Sequence, residues 1–234
     1  IIIVINGSPY EKVGQLKREL IVKKRISEVK IPIVYLNMVG GQDELVFDGT
    51  SFVMNDAGDI TYRAPSFEEK LDIIEFNVSA ERKEPITANV TPRLNDEESV
   101  YKALVKGTRD YINKHKFPGV VLGLSGGIDS ALTLAIACDA IGNEKVRAVM
   151  MPYKYTSSMS LEDAELQSTI LNIQYDILPI ESLYDASMDL LMPIFEGKNI
   201  DATEENIQSR ARGVLLMAIS NKTGLMLLTT GNKS

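Results

Sequence analysis

The sequence has 234 residues, of which 44% are hydrophobic and 24% charged, a composition typical of a globular protein with one or two cores. A single cysteine, Cys138, excludes an internal disulfide framework and a multi-cysteine zinc site, and a single histidine, His115, leaves little for a His-based catalytic triad. The formal net charge of −7 argues against broad nucleic-acid binding, and no apolar run is long enough to span a membrane. These features predict a cytoplasmic protein. The negative charge does not argue against a phosphate-rich small molecule as ligand, because such a site needs only local donors and helix N-termini.

Residues 1–90 form a first region with a strand, a helix and then several strands. The opening Ile-Ile-Ile-Val-Ile lacks an initiator Met and a signal-peptide pattern, so we expect a strand from the interior of a longer protein. A helix is predicted over 14–29, the segments IPIVYLNMV, SFVMND and LDIIEFNV are predicted strands, and AGD is a predicted turn. The polar segment 79–99 contains two prolines and no periodicity, which indicates a linker.

Residues 91–234 form a second region, in which helices alternate with short apolar strands. The predicted elements, in chain order, are a helix at 98–114, the strand GVVLGLS, a helix at 129–141 followed by Gly142 as its C-terminal cap, the strand VRAVMMP, a helix from Ser160 with a Ser-Leu-Glu-Asp capping box, the strand YDILPI, a short helix before EGKN, a long helix at 203–221 and the strand LMLLTT. Strands separated by helices predict a doubly wound parallel sheet with right-handed crossovers.

Three residues of this region mark one edge of the predicted sheet. Ser125, Pro152 and Thr230 each end an apolar strand. Ligands of open parallel sheets bind beyond the carboxyl ends of the strands. We therefore expect these three residues to lie together at a ligand site.

The segment GVVLGLSGGIDSALTLAIA, which contains the first of these residues, places a Gly-rich turn between a strand and a helix. Gly126 and Gly127 allow a tight turn and a close approach of the backbone to a ligand. The N-terminus of the following helix directs free N–H groups and its positive dipole end to the same point. The hydroxyl groups of Ser125 and Ser130 are expected to add donors. This combination predicts a phosphate site.

Asp129 stands beside this predicted phosphate site, and its carboxylate has two explanations. It can cap its own helix, or it can bind a Mg²⁺ ion that bridges it to a pyrophosphate. The loop has no lysine after its glycines and does not match the Gly-x-Gly-x-x-Gly fingerprint.

Ser-Gly-Gly-Ile-Asp-Ser resembles the PP-loop of ATP pyrophosphatases, which cleave ATP to AMP and pyrophosphate while adenylating a substrate; the alternative is a Gly-rich turn of another doubly wound protein. The segments MPYKYTSSMSLEDA from Met151, TEENIQSRARGVLLMAISNKTG from Thr203 and LLTTGNKS from Leu227 resemble the NAD synthetase family within that group. The resemblance implies deamido-NAD and ATP as substrates, Mg²⁺ at Asp129, a deamido-NAD contact at Asn206, and an ATP site of Gly123, Leu124, Ser125, Gly126, Gly127, Ile128, Asp129, Ser130 and Thr230.

The long helix at 203–221 carries two further arginines. Arg210 follows Asn206 by four residues on the same helical face, where a cation could meet a phosphate or carboxylate of the substrate. For Arg212 we expect only a solvated face. The apolar residues Ile207, Val214, Leu215 and Ile219 are predicted core.

The first region resembles the later half of a nitrilase-type amidase domain through NGSPY, PIVYLNMVGGQDELVFDG and SFVMNDAGD. Such a domain precedes the synthetase in glutamine-dependent NAD synthetases, where a Glu-Lys-Cys triad releases ammonia from glutamine. That triad falls upstream of this sequence, so no catalytic residue is assigned here, and Cys138 is expected to be a buried structural thiol. Ser8 matches a glutamine contact of the family, whereas the basic residue expected two turns later falls on Gly14.

The sequence thus predicts an α/β protein, with the C-terminal part of an αββα nitrilase-like domain and a linker at 1–90 and a doubly wound PP-loop domain at 91–234. The resemblance implies ATP-dependent amidation of deamido-NAD through an acyl-adenylate, in a homo-oligomer. Three alternatives stay open: an ammonia-only synthetase with a degenerate amidase half, another PP-loop ligase, and a nucleotide-binding protein without turnover.

Overall fold

The structure, a computed structural model, describes residues 1–80 and 82–230. The chain folds as two compact units, Ile1–Tyr111 and Ile112–Ser234. Glu81 of the predicted linker and residues 231–234, the GNKS segment of the family resemblance, lie outside the described residues. Within the described part of the chain, no helix combines the length and the apolar character needed to cross a membrane. The domain boundary at 90/91 stays a prediction.

The first unit contains a mixed sheet covered by a helix. Its elements are β1 (Ile2–Asn6), α1 (Gly14–Val29), β2 (Ile33–Asn37), β3 (Val39–Gln42), β4 (Leu45–Asp48), β5 (Phe52–Met54), β6 (Ile60–Arg63), β7 (Phe76–Val78), β8 (Lys83–Pro85) and most of α2 (Asp96–Lys114), whose last three residues belong to the second unit. The sheet has the order β1-β2-β5-β6, with β1 parallel to β2 and the later pairs antiparallel. Val22 and Ile26 of α1 pack against Ile33 and Tyr35 of β2 and Phe52 of β5 to form its core.

Two predictions for this unit are wrong in part. The predicted strand LDIIEFNV is a strand only over β7, and Leu71 and Ile73 of its first half are exposed. The polar segment predicted as a linker is hydrogen-bonded: β8 pairs with β7, and Ala88 and Thr91 donate their N–H groups to carbonyl oxygens of β6. Backbone pairing of this kind needs no apolar side chains, so hydropathy did not reveal it.

The second unit is a parallel sheet with helices between its strands. Its elements are β9 (Val120–Gly123), α3 (Ile128–Ile141), β10 (Val146–Met150), α4 (Ser158–Ile170), β11 (Gln174–Ile177), α5 (Glu181–Phe195), α6 (Ala202–Thr223) and β12 (Met226–Leu228), with a 3₁₀ turn before β10. The strands have the order β11-β10-β9-β12, and each pairs in parallel with its neighbour. The predicted α/β class and parallel sheet are therefore confirmed.

The N-terminal caps of α4 and α6 fix where these two helices begin. Helix α4 begins earlier than predicted, because its N-cap residue is Ser157 and not Ser160. The Ser157 hydroxyl oxygen accepts the capping hydrogen bond from the Ser160 N–H. Helix α6 begins with a capping box, in which Asp201 accepts from the Thr203 N–H and Glu204 accepts from the Asp201 N–H. The capping box fixes where the first turn of α6 starts. This position matters because α6 borders the candidate site.

Candidate functional site

The Gly-rich turn after β9 is shaped by contacts that only glycine permits. Gly126 has φ +77°, and a β-carbon there would lie 2.3 Å from the carbonyl oxygen of Ser160 in α4. Gly127 is the N-cap residue of α3. The backbone of the turn is thus held against α4, and the first N–H groups of α3 are left at its exposed side.

The two serines of the turn form a closed hydrogen-bond network. The Ser130 hydroxyl is buried, donates to the Gly127 carbonyl oxygen (2.9 Å) and accepts from the Ser125 N–H (3.2 Å). Because its proton is used in this way, the 3.0 Å contact between the two hydroxyl oxygens has Ser125 as its donor. The Ser125 oxygen in turn accepts from the Gly127 N–H at 3.2 Å. The serine hydroxyls therefore hold the turn in shape, contrary to the expectation of two spare donors, and leave backbone N–H groups as the donors for an anion.

Asp129 lies in the first turn of α3 with an exposed side chain. Gly127, the N-cap residue of α3, has no side chain to cap the helix, and Asp129 is the acidic residue of the first turn, where a carboxylate also stabilises the helix dipole. Its carboxylate is a hard oxygen donor next to the turn, the type that Mg²⁺ prefers. The described residues contain no group of three or more His, Cys, Asp or Glu placed to hold a metal by themselves.

A cavity of about 530 Å³ opens over the carboxyl ends of the strands of the second unit. Four residues expected at an ATP site line it: Gly123, Leu124, Ser125 and Thr230. The remaining ones, Gly126 to Ser130, follow Ser125 directly in the chain. Met151, the neighbour of Pro152, also lines the cavity. The structure thus brings the ends of β9, β10 and β12 together, as expected for the ligand edge of a parallel sheet.

Helix α6 contributes a stripe of side chains to the same cavity. Ser209, Arg212, Gly213 and Leu216 line it, at the spacing of one helical face. Asn206 and Arg210 are exposed and lie outside the set of described residues that lines the cavity. Asn206 precedes Ser209 by three residues, so it continues the stripe by one turn.

Arg212 is the functional candidate that sequence reasoning missed. Its Nε donates to the carbonyl oxygen of Met151 at 3.1 Å, and burial lowers the pKa of the guanidinium group. The prediction of a solvated face is therefore wrong. The predicted core position Val214 is 59% exposed, so the buried stripe of α6 is rotated relative to the one we expected. The helical spacing of Ser209, Arg212, Gly213 and Leu216 was the feature of the sequence that could have indicated the buried face of α6.

In the first unit, Ser8 follows β1 and is half-buried. Its N–H donates to Asn37 Oδ1 at 2.8 Å, and Arg18 Nη1 lies 3.3 Å from its hydroxyl oxygen. Gly14 begins α1 and brings no side chain to this point. Cys138 is buried in the middle of α3, and burial raises the pKa of its thiol to about 11. The expectation of a structural thiol is consistent with both observations.

The second unit is a parallel α/β unit with a Gly-rich loop between an inner strand and a helix, and a cavity opens over its carboxyl edge. These features together define a protein of the PP-loop class. A family model described as NAD synthase matches residues 100–234, more than half of the chain. The chain therefore belongs to the NAD synthase family.

Individual relatives agree with this assignment over the whole chain. The chain is 49% identical over 234 residues to the glutamine-dependent NAD(+) synthetase of Acinetobacter baylyi, covering 100% of this chain and 43% of that protein. It is 47% identical over 235 residues to the enzyme of the same name from Rhodobacter capsulatus, covering 100% of this chain and 42% of that protein. The structure of glutamine-dependent NAD+ synthetase from Acinetobacter baumannii in complex with ADP matches with a TM-score of 0.94 and 49% identity, over 100% of this chain and 44% of that one. The chain thus spans less than half the length of these relatives.

Proposed function

We propose that the protein amidates deamido-NAD to NAD with ATP, and that the ammonia comes from glutamine hydrolysed in its nitrilase-like part. The observation that carries this proposal is the Ser-Gly-Gly-Ile-Asp-Ser turn, which lies at the carboxyl edge of the parallel sheet beside a cavity that Thr230 and Arg212 also line. Membership of the NAD synthase family and two relatives named glutamine-dependent NAD(+) synthetase support it.

In this proposal, the turn from Gly123 to Ser130 binds the phosphates of ATP. Backbone N–H groups at the start of α3 and the positive end of its dipole meet the anion. The serine network described above keeps those groups in place before ATP arrives, which is the preorganisation that stabilises developing negative charge. Thr230 contacts ATP from the end of β12.

Asp129 is the residue that would hold Mg²⁺. Its carboxylate is exposed in the first turn of α3, and Mg²⁺ is commonly bound by one or two carboxylates together with substrate phosphates. When bound, the ion would neutralise negative charge on the departing pyrophosphate.

Helix α6 would bind the second substrate. Asn206 and Arg210 lie on its exposed first turns, where they can contact deamido-NAD. Arg212 instead reaches the cavity that Gly123, Ser125 and Thr230 line, where it would meet ATP. A guanidinium group presents several donors in a fixed plane and is well suited to a phosphate or carboxylate.

The reaction follows from the weakness of carboxylate as an electrophile. A carboxylate oxygen of deamido-NAD attacks the α-phosphorus of ATP, and the bond from that phosphorus to pyrophosphate breaks. Ammonia then attacks the acyl carbon, the bond to the AMP oxygen breaks, one proton leaves, and NAD and AMP are formed. The residues of this chain supply position and charge neutralisation for both steps.

The first unit would serve the supply of ammonia, with Ser8 in contact with glutamine. The Glu-Lys-Cys triad that the family uses falls outside this sequence. A synthetase that uses free ammonia and carries a degenerate amidase half is the second candidate, favoured by Gly14 at the position of the expected basic residue. We further propose a cytoplasmic homo-oligomer, a state that the exposed apolar residues Leu190 and Met192 of α5 and Met217 of α6 would favour.

The experiment that tests this proposal supplies the full-length protein with ATP, Mg²⁺ and deamido-NAD, together with either ammonium or glutamine, and follows NAD and AMP. Equal amounts of NAD and AMP from both donors would support a glutamine-dependent synthetase. NAD from ammonium alone would replace that proposal with the ammonia-only enzyme. Absence of NAD with both donors would refute amidation of deamido-NAD.

A further inference from the structure

Ser8 is held in place by its backbone. Its N–H donates to Asn37 Oδ1 at 2.8 Å, and Asn37 Nδ2 donates back to the Ser8 carbonyl oxygen at 3.2 Å. Asn37, at the end of β2, is itself buried, and its N–H donates to Ser51 Oγ at 3.0 Å. The side chain of Asn37 thus pairs with Ser8 as a neighbouring strand would, and this pairing fixes the point where β1 ends.

The hydroxyl of Ser8 is approached by a buried arginine. Arg18 of α1 is 7% exposed, and its Nη1 lies 3.3 Å from Ser8 Oγ and 3.4 Å from the Ser8 carbonyl oxygen. Its Nη2 donates to the carboxylate of Asp48 and, at 3.0 Å, to Thr50 Oγ1. One guanidinium group therefore joins Ser8 to the end of β4 and the residues that follow it.

This arrangement sets the direction of the Ser8 hydroxyl. A guanidinium group has only donors, so the Ser8 oxygen must accept in its contact with Arg18. Within residues 1–80 and 82–230, the Ser8 hydroxyl donates to no acceptor. Its single proton is thus left for an external acceptor, while Asp48 balances the charge of Arg18.

Stability alone does not explain the buried pair. A buried ion pair often contributes little net stability, because the loss of hydration offsets the attraction. Arg18 Nε and Asp48 Oδ1 are both buried and lack a hydrogen-bond partner in the described part of the chain. Unsatisfied buried atoms are costly and require an explanation. The contact of Arg18 Nη1 with the Ser8 hydroxyl oxygen is a role that the pair serves besides stability.

We propose that Arg18 is a positioning residue for glutamine, which holds Ser8 as a hydrogen-bond donor to the α-carboxylate of that substrate. The inference rests on the proposed function, in which Ser8 contacts glutamine. Because the charge of Arg18 is already paired with Asp48, its role is to set the direction of the Ser8 hydrogen bond: the Ser8 oxygen accepts from Arg18, and the Ser8 proton is left for glutamine. Gly14, at the position of the expected basic residue, offers no cation to glutamine.

The test measures KM and kcat of the full-length protein with glutamine and, separately, with ammonium. Arg18→Gln introduces a carbonyl oxygen that can accept the Ser8 proton, so KM for glutamine should rise about tenfold, the effect of one hydrogen bond to a charged group. KM for ammonium should stay at the wild-type value. Arg25→Gln is the matched control, because Arg25 lies on the same helix in an exposed pair with Glu28 and should leave both constants unchanged.

A double-mutant cycle separates positioning from a general structural role. Ser8→Ala should raise KM for glutamine by a similar factor, and Arg18→Gln should add less than about twofold in the Ser8→Ala background. Thr50→Val, which removes one support of Arg18 and keeps its ion pair, should raise KM for glutamine more mildly and provides the test if Arg18→Gln fails to fold.

Three results would overturn the inference: an unchanged KM for glutamine in both variants, an equal effect of Arg18→Gln with and without the Ser8 hydroxyl, or an equal loss with both nitrogen donors. Failure of the proposed function is distinguishable, because wild-type protein would then form no NAD from glutamine. That result would also remove the basis of the inference.

Discussion

Arg212 and Met151 are joined by a hydrogen bond from the guanidinium Nε to the backbone carbonyl oxygen, with 3.1 Å between the two atoms. Both residues line the cavity above the sheet. The bond connects the middle of α6 with the residue that follows β10. It therefore fixes a cation at the ligand edge of the sheet, where a phosphate group would need one.

Substitution of the two arginines of α6 should affect different substrates. Arg212→Lys keeps the positive charge and loses the planar donor set, so KM for ATP should rise about tenfold, the equivalent of about 1.4 kcal/mol. Arg210→Lys, at an exposed position, should raise KM for deamido-NAD instead. Steady-state kinetics of the full-length protein with each substrate varied in turn will check this. The same change in both constants for both variants would contradict the assignment.

Asp129→Asn should nearly abolish formation of AMP and leave the fold intact. The substitution removes the charge that would hold Mg²⁺, while α3 keeps its N-cap at Gly127. Stability should change by less than about 0.5 kcal/mol, as for other exposed positions. Turnover assays over a range of Mg²⁺ concentrations, with thermal unfolding as the control for folding, will measure both effects. Turnover at the wild-type level would show that the carboxylate has no role in the site.

Gly126→Ala should destabilise the protein by about 1–3 kcal/mol, the usual cost of a strained backbone conformation. The left-handed φ of +77° disfavours any side chain, and the new β-carbon would collide with the carbonyl oxygen of Ser160. Gly213→Ala in α6 is the matched control, since a β-carbon there meets nothing within 4 Å. In a helix interior that change should stabilise by up to about 1 kcal/mol. Chemical denaturation of both variants will compare them, and equal stabilities would show that the turn is not constrained as described.

Cys138 should react slowly with alkylating reagents in the native protein. Burial, with smaller contributions from Asp139 and Glu144, raises the pKa of the thiol from 9.0 to about 11. At about pH 8 the reactive thiolate is thus about a hundredfold scarcer than in the unfolded chain, and burial slows access further. The fold favours the neutral thiol, so its contribution to stability is complete below about pH 9 and is lost as the pH rises to about 11.

Alkylation rates in buffer and in concentrated urea will measure the protection of Cys138. Cys138→Ala should retain glutamine-dependent turnover, since the thiol is assigned no catalytic part. Rapid native alkylation with loss of glutamine-dependent activity would contradict the structural role.

The sequence alone predicted the parts of the site that depend on local pattern. Ser125 and Thr230 were expected on one edge because each ends an apolar strand, and the structure places both on the same cavity. The position of α1 was likewise predicted from its own residues. In these cases the relevant interactions span a few residues, so composition and spacing are sufficient.

Features that depend on packing between distant segments were not predictable in this way. Arg212 was placed on a solvated face because periodicity gives the width of a helical stripe but not its rotation toward a neighbouring strand. The contact between Arg18 and Ser8 joins a helix to a preceding loop, and Asp48, thirty positions later, completes it. The cap of α4 was misplaced because Ser157 and Ser160 satisfy the same residue preference, and only the backbone conformation decides between them.

The most direct test of ATP-dependent amidation follows the oxygen atoms of the substrate carboxylate. Deamido-NAD labelled with oxygen-18 in the nicotinate carboxylate is incubated with ATP, Mg²⁺, ammonium and the full-length protein, and the products are analysed by mass spectrometry. Passage through an acyl-adenylate predicts one labelled oxygen in AMP and the other in the amide of NAD. Formation of NAD with unlabelled AMP would contradict activation of the carboxylate at the α-phosphorus, and with it the role assigned to the loop from Gly123 to Ser130.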